Sequence, residues 1–224
     1  MRVQLILRCL ALTALALFTG CANPSRFETP APAISVYQPL TNEPSSALTF
    51  LKDGGYVLVM RHGKSPHDQS DARARSPDCR LGDGRGLSNA GVLEGMQSAG
   101  ILQTNNIPLG AIFSSEMCRA FDTALQFAGL APVTANAALV TTAPDDIAAF
   151  KAELEGILAA SPGTNILLVS HSNIAPLYGA RGLPGEGELP EGVISVVSPK
   201  SWYGLENGTV FRIGPDFISV AEVD

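Results

Sequence analysis

Two of the three histidines in this chain lie within two residues of an apolar run, next to basic or hydroxyl side chains. His62 follows Arg61 at the end of one run, and His171 stands between two serines at the end of another. Arg119 lies shortly after a third apolar run and a pair of serines. Cationic groups that converge on one place repel one another unless an anion lies between them. Phosphate suits such a cluster, because guanidinium groups bind its oxygens in bidentate geometry.

The elements that must position these residues alternate along the chain. Continuous apolar runs are typical of strands buried on both faces and predict strands at Tyr56–Met60, Ala111–Phe113 and Ile166–Val169. Two further strands are predicted at Val193–Val197 and Thr209–Ile213. Helical spacing and capping residues predict helices at Ser45–Lys52, Ser88–Leu102, Met117–Ala128 and Asp145–Leu158, with a further short segment at Asn173–Tyr178. This alternation predicts an α/β fold, a three-layer α/β/α sandwich with a mostly parallel central sheet. Ligands of such sheets bind beyond the carboxyl ends of the strands, where the histidines and arginines fall.

Four short motifs together resemble the histidine phosphatase (phosphoglycerate mutase-like) superfamily. They span most of residues 56–173, in the order Arg61-His62-Gly63, Gly86-Leu87-Ser88-x-x-Gly91, Ser114-Ser115-x-x-x-Arg119-Ala120-x-x-Thr123-Ala124 and Ser170-His171-Ser172-Asn173. The resemblance implies a histidine phosphatase-like fold and a neutral His62 that attacks phosphorus to form a phosphohistidine. It also implies that Arg61, Arg119 and His171 surround the phosphoryl oxygens. No metal and no cofactor is expected, because cationic side chains supply the positive charge that a metal ion would otherwise provide.

The leaving group of a phosphate ester needs a proton, and the resemblance implies a carboxylic acid as its source. The segment Ala137–Thr141, in the window where the family often carries this acid, has no carboxylate. We therefore predict Glu188 as the general acid, followed by Glu186 and then Asp146; a solvated loop carboxylate is the alternative for Glu188. The placement of Glu188 resembles small exported members of the family related to lipopolysaccharide-core heptose phosphatases.

The loop after His62 is rich in basic residues. Residues 61–85 hold six arginines and lysines among interleaved aspartates. Lys64 and Arg85 are candidates for binding an anionic substrate at the rim of the site. Solvated loop charges are the alternative reading for this segment.

The first residues are typical of a bacterial export signal. Arg2 and Arg8 precede an apolar run that is too short to span a membrane, and Thr19-Gly20-Cys21 then resembles a lipobox. We expect a signal peptide over residues 1–20 and a lipid on Cys21; cleavage after Ala22 is the alternative. Residues 21–46 hold five of the prolines and predict an extended tether, which leaves residues 47–224 as the catalytic domain. The expected location is the bacterial periplasm, with the protein anchored by its lipid to the outer membrane.

Composition limits the partners. The formal net charge of −6 argues against nucleic acid as a partner, and membrane contact is expected through the N-terminal lipid anchor only. Cys79 and Cys118 are expected to form a disulfide in an oxidising periplasm, and two buried thiols are the alternative.

These features favour an exported, metal-independent phosphomonoesterase that acts on a small-molecule or glycan phosphate ester, such as a sugar or lipopolysaccharide phosphate. A phosphohistidine or phosphoanhydride phosphatase is the alternative enzyme, since its leaving group departs without strong acid help. A lipoprotein that binds phosphate esters without turnover is the alternative from another class. The intact nucleophile argues against this binding protein, because a protein that only binds phosphate esters has no need of His62 beside two arginines.

Overall fold

The computed structural model describes residues 36–39, 45–69, 85–183, 185–206 and 208–222, all of which belong to one compact unit, residues 33–224. The strands are β1 (Val36–Pro39), β2 (Val57–Arg61), β3 (Leu109–Ser114), β4 (Val133–Ala135), β5 (Asn165–Ser170), β6 (Ile194–Val197), β7 (Thr209–Ile213) and β8 (Phe217–Glu222). The α-helices are α1 (Asn89–Thr104), α2 (Cys118–Leu125) and α3 (Pro144–Ala160), and 3₁₀ helices cover Ser46–Asp53, Ala137–Leu139 and Ala175–Tyr178.

All of these strands form one sheet in the order β1-β8-β7-β6-β2-β5-β3-β4. Strands β2, β5, β3 and β4 are parallel to one another, whereas β6, β7, β8 and β1 pair antiparallel. The predicted α/β class is therefore confirmed, with the parallel pairing confined to the half of the sheet that carries the site. Within the other half, the short connection of three residues between β7 and β8 suits an antiparallel pair, because a parallel pair needs a longer crossover.

Helices cover both faces of the parallel strands, as the three-layer prediction requires. On one face, α1, α2 and the 3₁₀ helix Ser46–Asp53 pack on alternate strand residues such as Met60 and Val169. On the other face, α3 and the 3₁₀ helix Ala175–Tyr178 pack on the intervening residues, such as Val59 and Leu168. Burial on both faces explains why these strands read as uninterrupted apolar runs in the sequence.

The predicted helices and strands all occur, with ends that shift by a few residues. Ser88 caps α1 as predicted, since its side-chain oxygen accepts a hydrogen bond from the Gly91 N–H at 3.1 Å. The predicted helix Ser45–Lys52 is a 3₁₀ helix that ends at Gly54, where φ is 74°. No helix in the described ranges is long and apolar enough to cross a membrane.

Three strands were not predicted: β1, β4 and β8. Strand β1 lies inside the segment predicted as a tether, yet its residues pair antiparallel with β8, from Val36 with Val220 to Pro39 with Phe217. β1 lies at one edge of the sheet, a position in which proline is tolerated. Residues 36–39 therefore belong to the sheet and not to the tether. The predicted signal peptide, the lipid site Cys21 and the remainder of the tether before residue 36 lie outside the described residues.

Candidate active site

Three neighbouring parallel strands deliver their last residues to one edge of the sheet. Arg61 at the end of β2 pairs in register with Ser170 at the end of β5, and Ser114 at the end of β3 pairs with Val169. The residues that follow, His62, His171 and Ser115, therefore emerge side by side. The sequence prediction that these motifs share one site is supported by this register.

His62 is buried and its protonation pattern follows from its contacts. Its Nδ1 lies 2.8 Å from the carbonyl oxygen of Gly63, which can only accept a hydrogen bond, so Nδ1 carries the proton. The lone pair is therefore on Nε2, which accepts a hydrogen bond of 2.9 Å from Nε of Arg119. This is the tautomer in which Nε2 can act as a nucleophile.

His171 completes the cluster from the end of β5. Its Nδ1 lies 3.2 Å from Nη2 of Arg119, and its Nε2 lies 2.7 Å from Oγ of Ser115. Because a guanidinium can only donate, Nδ1 is the acceptor and Nε2–H donates to the serine. The two imidazole rings are 5.3 Å apart between centroids. Arg119 thus contacts both histidines through different nitrogens of one planar group.

Both imidazoles are neutral near neutral pH. Burial lowers the pKa of His62 to about 3; its hydrogen bond to Gly63 opposes this shift, and electrostatic interactions with His171, Arg119 and Arg61 add to it. Burial likewise lowers the pKa of His171 to about 3, and Arg119 and Arg61 again add to the shift. The cationic character of the site therefore comes from the arginines, while the histidine nitrogens keep their lone pairs.

Helix α2 is fixed to the turn after β2 by Thr123. Its Oγ1 accepts a hydrogen bond from the Gly63 N–H at 3.0 Å and donates to the carbonyl of Arg119 at 2.7 Å. One side chain thus couples the position of the His62 turn to the helix that carries Arg119. This contact gives the threonine of the third motif a structural role.

Two motif glycines allow helix α1 to approach the same turn. A Cβ on Gly63 would lie 2.5 Å from the carbonyl oxygen of Gly91, and a Cβ on Gly91 would lie 2.1 Å from the carbonyl oxygen of Lys64. Real Cβ atoms do not come so close to backbone oxygens, so both positions require glycine.

Arg61 reaches toward the loop before β6. Its Nη1 donates to the carbonyl of Leu189 at 3.0 Å and to Oε2 of Glu188 at 3.3 Å. The Glu188 side chain is 63% exposed, so this ion pair lies at the rim of the site. The role of Glu188 as general acid stays a prediction. The structure places its carboxylate beside the site residue Arg61.

The other two candidate acids are engaged elsewhere. Glu186 forms an ion pair with Arg212, a buried residue of β7. Asp146 accepts a weak hydrogen bond from Thr141 at 3.4 Å and lines a groove of about 680 Å³ to which neither site histidine contributes. Of the three candidates, Glu188 is therefore the one that contacts a site side chain in the described structure.

Sequence reasoning missed Glu191. Its side chain is 14% exposed, and Oε1 lies 3.8 Å from Nδ1 of His62 and 3.9 Å from Nη2 of Arg61. The next residue, Gly192, donates its N–H to the carbonyls of Arg61 and His62, which holds Glu191 against the end of β2. The signal available was its position three residues before strand β6, in the loop that also carries Glu188. The antiparallel pairing of β6 with β2, which brings Glu191 to His62, was not evident from the sequence.

Lys64 and Arg85, predicted to bind substrate, both have protein partners. Nζ of Lys64 lies 2.7 Å from Oε1 of Glu94, and this bond raises the lysine pKa. Arg85 donates to Oγ of Ser65 at 2.8 and 3.1 Å and lies beside His67. Both residues border the loop that follows His62, and their contact with substrate stays a prediction.

The remaining predicted site residues are the cysteines. Cys118 is buried at the start of α2, next to Arg119. Cys79 lies outside the described residues, so the predicted disulfide between them stays a prediction. Across the described ranges, no group of three or more histidine, cysteine, aspartate or glutamate side chains could hold a metal ion.

Comparisons with known proteins find relatives by structure. No protein-family model matches the sequence, and no curated protein matches it. The structure of the protein histidine phosphatase SixA with tungstate matches at a TM-score of 0.51 and 19% identity, over 71% of this chain and 97% of that one. A putative phosphohistidine phosphatase SixA from Agrobacterium tumefaciens matches at 0.49 and 16%, over 68% and 96%. The alpha-ribazole phosphatase from Shigella flexneri matches at 0.45 and 17%, over 63% and 89%. The match to the SixA structure with tungstate confirms the fold that the motifs implied.

Proposed function

We propose that this chain, which has the histidine phosphatase fold, hydrolyses phosphate monoesters through a phosphohistidine formed on His62. The observation that carries the proposal is the protonation of His62: Gly63 holds the proton on Nδ1, and burial keeps the ring neutral. The lone pair is then on Nε2, where it accepts a hydrogen bond from the guanidinium of Arg119. A neutral nitrogen next to a fixed positive charge is what attack on an anionic phosphate requires.

In the first step Nε2 of His62 bonds to phosphorus as the ester P–O bond breaks in line. Negative charge spreads over the three equatorial oxygens, where the guanidinium groups of Arg61 and Arg119 can stabilise it, with His171 held beside Arg119. The oxygen of the departing alcohol takes a proton from a general acid, for which we propose Glu188. Water then attacks phosphorus and gives a proton back to the carboxylate that served as general acid, the Nε2–P bond breaks, and the ring returns to its neutral form.

The test is hydrolysis of p-nitrophenyl phosphate by the purified protein in excess chelator. We expect turnover in the wild type and none above background in His62→Ala. His67→Ala, which removes the exposed third histidine, serves as the matched control and keeps its turnover. Wild-type binding of phosphate esters without any turnover would contradict the proposal and favour the non-catalytic binding protein.

A phosphohistidine or phosphoanhydride substrate is the second candidate, and the position of Glu188 favours it. That carboxylate is mostly exposed and forms an ion pair with Arg61, so its contact in the structure is with a site arginine at the rim. A carboxylate engaged in this way is a weaker candidate for the general acid that an alkyl ester needs. Phosphohistidine and phosphoanhydride substrates have leaving groups that depart without strong acid help. The SixA protein to which the fold is similar is named a protein histidine phosphatase.

Leaving-group dependence separates the two candidates. A monoesterase with Glu188 as its acid hydrolyses an alkyl phosphate such as glycerol phosphate, and Glu188→Gln lowers that rate by about 10²-fold or more while sparing p-nitrophenyl phosphate. A phosphohistidine phosphatase hydrolyses phosphohistidine well and the alkyl ester poorly, and Glu188→Gln leaves both rates unchanged. The ratio of the two rates in the wild type is the deciding measurement.

We also propose a location in the bacterial envelope, with a lipid on Cys21 and a sugar or lipopolysaccharide phosphate as substrate. The support is the sequence alone: two early arginines, a short apolar run and the lipobox-like Thr19-Gly20-Cys21. In a bacterial host, Cys21→Ser should move the protein from the membrane fraction to the soluble fraction and abolish labelling by radioactive palmitate. An unchanged distribution would favour cleavage after Ala22.

A further inference from the structure

Glu191 brings a carboxylate to the side of His62 that faces away from the attacking nitrogen. Its Oε1 is 3.8 Å from Nδ1 and 3.9 Å from the Arg61 guanidinium, and it is buried without a hydrogen bond. A buried carboxylate oxygen without a hydrogen bond is costly, and most such atoms in proteins are satisfied. Its presence against the ring calls for a physical reason.

The backbone fixes this carboxylate in place. Gly192, the next residue, donates its N–H to the carbonyls of Arg61 and His62 at 3.2 and 3.0 Å. Gly192 has a φ of 76°, and a Cβ there would lie 2.9 Å from Oε2 of Glu94. The turn therefore packs tightly between the end of β2 and α1, and Glu191 has little freedom to leave the ring.

The charge on the His62 ring changes during the proposed reaction. A neutral imidazole that keeps its Nδ1 proton becomes positively charged when Nε2 bonds to phosphorus, and it loses that charge when the Nε2–P bond breaks. Arg61 and Arg119 disfavour this new positive charge, and His171 is neutral. Among the described residues, Glu191 is the one whose carboxylate lies within 4 Å of the His62 ring.

We infer that Glu191 is a positioning residue whose carboxylate stabilises the positively charged His62 ring of the phosphoenzyme and of the transition state that leads to it. This inference rests on the proposed function. Glu191 is not the general acid, because it lies at Nδ1, whereas the leaving oxygen departs in line from phosphorus on the far side of Nε2. It acts through the ring and not on the substrate.

The inference predicts opposite effects on the two chemical steps. Without the carboxylate, forming the charged ring becomes harder and losing that charge becomes easier. In Glu191→Gln, which keeps the side-chain shape, phosphorylation of His62 should slow by about 10- to 100-fold. Hydrolysis of the phosphoenzyme should keep its rate or become faster. A side chain with only a structural role would not slow one step and spare the other.

The experiment is a single turnover of p-nitrophenyl [³²P]phosphate with the full-length enzyme in excess. Release of p-nitrophenol reports phosphorylation, and release of inorganic phosphate reports hydrolysis of the acid-labile phosphoenzyme. Glu191→Asp, which keeps the charge, should fall between wild type and Glu191→Gln. Glu206→Gln removes an exposed carboxylate paired with Lys200 and is the matched control, which should behave as wild type.

The outcomes separate the inference from the function on which it rests. Slower phosphorylation with preserved hydrolysis in Glu191→Gln supports the inference. Equal loss in both steps, or no loss in either, overturns it and leaves the proposed function standing. A wild-type enzyme that forms no acid-labile phosphoenzyme overturns the proposed function, and the inference fails with it.

Discussion

At the scale of single residues, the site is organised around the Arg119 guanidinium. Nε contacts Nε2 of His62 and Nη2 contacts Nδ1 of His171, so one rigid planar group sets the distance between the two rings. Its charge also helps to lower both histidine pKa values, after burial. A lysine carries the same charge as a single point on a flexible chain and cannot make both contacts in fixed geometry.

Arg119→Lys should therefore lower kcat for p-nitrophenyl phosphate by about 10²-fold or more, a loss typical of removing one fixed donor to a developing negative charge. The steady-state rate as a function of substrate concentration gives this value. Arg181→Lys, which replaces an arginine stacked on the exposed Tyr203, is the matched control and should retain wild-type kcat. A kcat for Arg119→Lys within a factor of two of wild type would contradict this role of the guanidinium.

At the scale of elements, the turn after β2 is held between two helices. Helix α2 contributes the Thr123 hydroxyl to the Gly63 N–H, and helix α1 contributes Gly91, whose missing side chain lets the backbone touch the turn. Glu94 on α1 accepts from the Lys64 N–H at 2.9 Å, one turn further along the helix. The contacts with these two helices therefore fix the position of His62 together with strand β2.

Gly91→Ala tests this packing, because its Cβ would overlap the Lys64 carbonyl and force the helix and the turn apart. We expect a loss of about 1–3 kcal/mol in the free energy of unfolding, together with a lower kcat. Gly100→Ala in the same helix is the matched control, since nothing lies within 4 Å of its Cβ. That change should raise stability by about 0.5–1 kcal/mol. Denaturant unfolding of both variants gives the comparison, and equal stabilities would contradict the proposed contact.

At the scale of the whole molecule, sequence alone predicted the layered fold and the residues that meet at the strand ends. Buried parallel strands give uninterrupted apolar runs, and the residues that follow them share one sheet edge, which identified His62 and His171. The edge strand β1 and its neighbour β8 lack such runs, and their pairing joins residues about 180 positions apart in the chain. Glu191 was missed for a related reason, since its contact with His62 depends on the non-local pairing of β6 with β2.

The buried histidine pair also makes the stability of the whole molecule depend on pH. Because the pKa of His62 is lowered from 6.5 to about 3 in the folded protein, the unfolded chain binds the extra proton first as the pH falls. Stability is therefore lost below pH 6.5, and His171 acts in the same direction. From about pH 6.5 to about pH 4.5, each histidine should contribute a loss of about 2 kcal/mol.

Denaturant unfolding at these two pH values tests this prediction. Carboxylates titrate in the same range, but all variants share them, so their contribution cancels when the variants are compared. The difference in unfolding free energy between the two pH values should be smaller by about 2 kcal/mol in His62→Asn than in the wild type. His67→Asn removes an exposed imidazole and should keep the wild-type difference. If His62→Asn showed the wild-type difference as well, the folded protein would have to bind a proton at His62 as readily as the unfolded chain. A ring with an unshifted pKa would be half protonated at pH 6.5, and that half could not offer the Nε2 lone pair to phosphorus. This stability measurement therefore also tests, without any substrate, whether burial keeps the proposed nucleophile neutral at that pH.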